Sequence, residues 1–171
     1  MFGTHSPNYI RLNMPDFDLD RTDFGLLETL QRTARITNKE LAAAVGISPS
    51  TCLERVRRLQ SCGALTGYHA AVDPEAFGIQ VQAMVSVRLA RHALVSFDKL
   101  RDELLNIPEV VSVYLLAGAQ DFLVHVAAGS VNHLRDVVSE NFAARDDVAH
   151  METSLIFDHA RSHSLPNFAQ T

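Results

Sequence analysis

Two helix starts stand so close together in the first half of the chain that only one short helix and a tight turn fit between them. Thr37-Asn38-Lys39-Glu40 is a capping box, in which the Thr37 hydroxyl and the Glu40 carboxylate satisfy opening backbone N–H groups. Ser48-Pro49 is the second start, an N-cap serine followed by proline at the first helical position. Gly46 falls between them, where a helix end needs positive φ. The spacing predicts one helix from Asn38 to about Val45 and another from Pro49 to about Ser61, stopped by Gly63. A preceding helix is capped by Asp20 and carries Leu26, Leu27 and Leu30 on one face. Two short helices joined by a turn containing Gly form a helix-turn-helix.

Beyond residue 80 the pattern changes. Val81–Leu89 alternates as a strand, and Phe97, Leu100 and Leu104 then mark a helix that Pro108 ends. Val110–Leu116 and Phe122–Ala127 read as strands around the turn Gly118-Ala119-Gln120-Asp121. Ser130 caps a helix carrying Val131, Leu134 and Val138, and His150–Asp158 is a fourth strand. Strand–helix–strand therefore occurs twice, the split-βαβ, ferredoxin-like plan of one antiparallel sheet with two helices on one face. The fold class is α+β: residues 17–66 a helix-turn-helix domain of winged type, 67–79 a short strand and linker, and 80–160 a ferredoxin-like βαββαβ domain. Residues 1–16 and 161–171 read as tails. The uncovered sheet face needs a partner layer, and a second copy of the chain supplies it most economically.

Composition narrows the function classes. Apolar residues make up 47% and charged residues 20%, so most of the chain is globular. No apolar run is long enough to span a bilayer, and Met1 to Pro15 lacks the pattern of a signal peptide. With only Cys52 and Cys62, a reducing, cytoplasmic setting is expected. The net charge of −5 is uneven: residues 1–72 balance at +1 and residues 73–171 at −6. Only the first part could approach a polyanion without strong repulsion.

Placing Val56 at the centre of the buried face of the third helix puts Cys52, Leu53 and Leu59 beside it. Thr51, Glu54 and Arg58 then point outward, flanked by Ser50, Arg55 and Arg57. Hydroxyls near a helix N-terminus with arginines further along suit a recognition helix in the major groove of double-stranded DNA. An ordinary solvated face would carry similar residues.

The chain resembles the Lrp/AsnC family of feast/famine transcriptional regulators. Asp18-Leu19-Asp20-x-x-Asp23, Thr37 to Ala42, Val45 to Ser48, Pro49 to Leu59, and Gly63, Leu65, Gly67 and Tyr68 carry the likeness, which extends over roughly residues 17–160. The resemblance implies a regulator that binds DNA through Lys39, Ser48, Ser50, Thr51, Glu54, Arg55, Arg57 and Arg58. It implies a free amino acid as effector, held between dimers by the hairpin Gly118, Ala119, Gln120, Asp121 and Phe122, with Thr153 close by. Relatives often carry Asp or Asn directly after the glycine, where this chain has Ala119 and Gln120. A homodimer through the sheets, assembled further to a tetramer or octamer, is also implied.

Two other classes stay open at this level. Sirohaem decarboxylases resemble the same two-domain layout, and a small-molecule-binding module could act on a partner protein instead of DNA. No nucleophile–base pair, phosphate cradle or paired carboxylates argue for catalysis, so no enzyme and no cofactor are expected. His159 and His163 stand four apart without a third ligand and read as a solvated tail, not a zinc site. His125 reads as a packed strand residue.

Overall fold

The computed structural model describes residues 17–90 and 97–169. It divides into two compact units. One joins the chain up to Ala71 with the segment from Ala160 onward, and the other is Val72–His159. The C-terminal segment expected to be a free tail thus belongs to the first unit, where the Leu165 N–H donates to Gln31 Oε1 at 2.6 Å.

The first unit holds three helices, α1 (Arg21–Arg32), α2 (Asn38–Val45) and α3 (Pro49–Ser61). Each begins where a side chain meets the opening N–H groups. Asp20 accepts from the Asp23 N–H at 2.9 Å and Asp23 accepts from the Asp20 N–H at 3.0 Å. Thr37 and Glu40 make the corresponding box on α2, and Ser48 caps α3 with Pro49 behind it. Gly46, at φ 72°, ends α2 and permits the immediate start of α3. Leu26, Leu30, Leu41, Ala42, Cys52 and Leu59 form the core of this unit. Leu53, read as part of the buried face, is instead 41% exposed. The short strand expected after Leu65 is also missing among the described residues. Thr66 to Asp73 has no ladder partner, and Pro74–Phe77 makes a 3-10 turn.

The second unit contains β1 (Val81–Leu89), α4 (Phe97–Leu105), β2 (Val110–Leu115), β3 (Phe122–Ala128), α5 (Val131–Val138) and β4 (Val148–Leu155). The sheet order is β2-β3-β1-β4 with every pair antiparallel, as the split-βαβ plan requires. Ala83, Val85 and Val87 of β1 and Phe122, Val124, Val126 and Ala128 of β3 bury one face against Leu100, Leu104, Leu134, Val137, Val138 and Phe142. By strand alternation, Gln82, Met84 and Ser86, Ser112 and Tyr114, Leu123 and His125, and Glu152 and Ser154 share the other face. No helix of this unit covers that face among the described residues. β4 begins two residues before its expected start and ends at Leu155, short of the expected Asp158.

Candidate nucleic-acid interface and effector loop

α3 departs from the outward-facing reading at its arginines. Arg55 Nη1 donates to Asp20 Oδ2 at 2.7 Å and to Asp23 Oδ1 at 3.0 Å. Arg58 pairs through Nη2 with Asp23 Oδ2 and donates through Nη1 to the Asp18 carbonyl at 3.0 Å. Asp23 is fully buried, whereas the side chains of Arg55 and Arg58 keep 27% and 47% of their surface. The Asp23 N–H and then the Arg55 guanidinium hold the Asp20 carboxyl below its ordinary range, and Arg55 is shifted upward in turn. Neither arginine projects freely, because the acids of the α1 N-terminus lie within reach of that side of α3.

The other candidates divide differently. Ser48 Oγ lies 2.9 Å from Ser50 Oγ and 2.8 Å from Thr51 Oγ1, a hydroxyl cluster on the first turn of α3. Lys39, Ser50, Glu54 and Arg57 are exposed. Lys39 and Arg57 make no ion pair with any described residue. Two contributions escaped the sequence reading. Asn38 Nδ2 donates to the Pro49 carbonyl at 2.7 Å and pins the start of α2 to the start of α3. Asp20, read only as a helix cap, and Asp23, named only within the resemblance, also grip α3. Their i, i+3 spacing, matched by that of Arg55 and Arg58, was the available signal.

In the second unit the turn before β3 is anchored from β1. Asp121 Oδ2 accepts from the Leu89 N–H at 2.7 Å, and the Asp121 N–H donates to the Val87 carbonyl at 2.9 Å. Gly118 and Ala119 are exposed. Gln120 Oε1 is buried and has no hydrogen-bond partner among the described residues. Phe122 offers a ligand no surface. It is fully buried, with its ring 5.8 Å from that of Phe97, because alternation along β3 turns it to the helix side. Thr153 lies elsewhere. It pairs with Val85 across β1 from β3 and lines a cavity of about 420 Å³ with Val131, Leu134, Val138 and Met151, among others, which does not include residues 118–122. The protomer therefore does not bring Thr153 and the Gly118–Phe122 turn into one site.

No cluster of three or more metal-binding side chains forms among the described residues. His125 Nε2 lies 2.9 Å from Gln82 Oε1, and its ring centre is 6.4 Å from that of His159. No helix among the described residues is long and apolar enough to cross a membrane.

Residues 19–66 match a family of winged helix-turn-helix DNA-binding domains, and residues 82–165 match the Lrp/AsnC ligand-binding domain. The chain belongs to the Lrp/AsnC family. It is similar to the HTH-type transcriptional regulator AldR of Mycolicibacterium smegmatis, with 47% identity over 86% of each chain. The leucine-responsive regulatory protein of Escherichia coli K12 is 31% identical over 86% of this chain and 90% of its own. Among solved structures, a Neisseria meningitidis transcriptional regulator in complex with L-methionine superposes with a TM-score of 0.76 at 29% identity, covering 86% of this chain and 96% of that one. The α+β architecture, with a helix-turn-helix before an antiparallel sheet and its helices, is that of Lrp/AsnC regulators. This protein is a DNA-binding transcriptional regulator with a ligand-binding domain, and its curated relatives are named as regulators, not as enzymes.

Proposed function

We propose that this regulator reads a specific DNA sequence with the first two turns of α3 and answers to a free amino acid bound in its second domain. The observation that carries the DNA reading is the capped start of α3. Ser50 and Glu54 stand exposed there beside the Ser48–Thr51 hydroxyl cluster, and Arg57 stands exposed at the start of the next turn. Such groups serve base edges and phosphates, and Lys39 on α2 serves the adjacent backbone. Arg55 and Arg58 support α3 and do not lead the contact.

For the effector, the turn Gly118–Asp121 supplies the polar end of the site. Gln120 Oε1 is a buried acceptor with no donor among the described residues, and a buried acceptor without a donor costs about 1–3 kcal/mol. The α-ammonium of an amino acid supplies that donor. The cavity beside Thr153, lined by Val131, Leu134, Val138 and Met151, suits an apolar side chain. Because one protomer keeps turn and cavity apart, they meet in an assembly of dimers, a tetramer or octamer. Each dimer forms through the open sheet face that carries Met84, Leu123 and half-exposed Tyr114. The protein works in the cytoplasm, on the chromosome, without an enzymatic step.

Light scattering with each of the twenty amino acids, followed by a gel shift on DNA selected by the protein from a random pool, tests this reading. One amino acid should change both assembly mass and DNA affinity, because an effector shifts an equilibrium only by its differential affinity for the two states. Tight DNA binding that no amino acid alters would refute the effector assignment.

A further inference from the structure

We propose that Asp20 and Asp23 limit the general affinity of the protein for DNA: by holding Arg55 and Arg58 against α1 they withhold two of the three α3 guanidiniums from phosphates. This rests on α3 being the helix that meets DNA. The geometry is a matched pair of ridges, acids three apart at the N-cap and first turn of α1 facing arginines three apart on α3. Every carboxylate oxygen is taken. Asp23 Oδ1 accepts from Arg55, and Asp23 Oδ2 from Arg58 and the Asp20 N–H. Asp20 Oδ2 accepts from Arg55, and Asp20 Oδ1 from the Asp23 N–H. Arg58 spends its second terminal nitrogen on the Asp18 carbonyl.

The surface beside the clamp has the same balance. A recess of about 470 Å³ is lined by Asp20, Thr51, Glu54, Arg55 and Arg58. Two carboxylates offset two guanidiniums there, so a phosphate entering it gains no net charge attraction. Arg57, exposed and unpaired among the described residues, is the α3 guanidinium left for DNA.

The consequence is a lower affinity for DNA of any sequence. A free arginine binds the phosphates of any sequence, so it raises specific and non-specific affinity alike and carries no sequence information. Sequestering two of them lowers both affinities and leaves the base-reading groups in place, so less of the binding is salt-dependent phosphate contact.

The test measures binding of the full chain to a random-sequence duplex by fluorescence anisotropy between 50 and 200 mM salt. Releasing one arginine adds about one phosphate contact and steepens the log–log salt slope by about 0.9. Asp23→Asn should do this by freeing Arg58, and Asp20→Asn with Asp23→Asn should add about two contacts. Over this salt range each contact multiplies the affinity loss about 3.5-fold. Affinity for a selected duplex and for the random one should rise together in both variants. A purely structural role would lower the melting temperature and weaken binding to both duplexes without steepening either slope, which would overturn the proposal. Variants that keep the buried acid guard against failed folding. Arg58→Gln should leave the random-duplex slope unchanged, whereas Arg57→Gln should flatten it by about 0.9. Flattening by Arg58→Gln would place that residue on phosphate and overturn the clamp while leaving α3 on DNA. No effect of Arg57→Gln on any duplex would remove α3 from the DNA, and the inference with it.

Discussion

Replacing Asp23 by alanine removes three interactions at once in a place that water cannot reach. The carboxylate accepts from the Asp20 N–H at 3.0 Å, from Arg55 at 3.0 Å and from Arg58, with none of its own surface exposed. Breaking a buried charge pair costs about 3–5 kcal/mol when the partner is left buried. Here the arginines stay partly in water, so the low end, about 3 kcal/mol, is the expected loss for the first unit. The chain contains no tryptophan, but its two cysteines make a better probe. Cys52 is fully buried in the core of that unit and Cys62 is exposed. Burial also raises the Cys52 thiol pKa, which slows its reaction further. With a thiol reagent Cys62 should label at once in both proteins. Cys52 should label only through opening of the three-helix unit, and about 100-fold faster in Asp23→Ala, since every 1.4 kcal/mol is tenfold. An acceleration below about tenfold would show that the buried carboxylate does not hold α1 to α3.

Three further outcomes follow from the second unit. Gln120→Ala should abolish the response to an amino acid without lowering the melting temperature, because it deletes an acceptor that has no partner among the described residues; a normal dose–response would refute its role. Asp121→Ala should lose the response too, but with lower stability, since the Leu89 N–H loses its acceptor; an unchanged melting curve would count against that anchor. Burial first, then the charge of His159, lowers the His125 pKa below its ordinary 6.5, so the unfolded chain takes up the proton more readily than the folded one. Stability from this group is therefore complete above about pH 6.5 and is lost as the pH falls from there toward the folded value. His125→Gln should flatten a melting-temperature profile across that range, and an equally sloped profile in the variant would refute the assignment.

The helices were legible because their signals are local. Asp20, Thr37, Ser48-Pro49 and Gly46 each act on backbone groups within a turn, and each stands at the helix end it marks. The strands were legible by alternation, and the single antiparallel sheet was legible in the repeated strand–helix–strand pattern; its order, β2-β3-β1-β4, comes from the structure. What escaped depends on contacts between distant residues. A helical wheel of α3 places Arg58 opposite Val56, but it cannot show that Asp23, 35 residues earlier, lies beside it. The same limit hid the return of Leu165 to Gln31. Phe122 was grouped with its turn by the resemblance, although strand alternation alone points it into the core. Thr153 and Gln120 were joined by resemblance, and the sheet register separates them within one protomer.

The central claim is that one chain couples a sequence read by α3 to an amino acid held in the second domain. Hydroxyl-radical footprinting on a duplex selected by the full-length protein, with and without each amino acid, tests it most directly. The account predicts discrete protected patches on successive major-groove faces, about one helical turn apart, whose extent changes with at least one amino acid and not in Gln120→Ala. Uniform protection along the duplex, or a footprint that no amino acid alters, would contradict it.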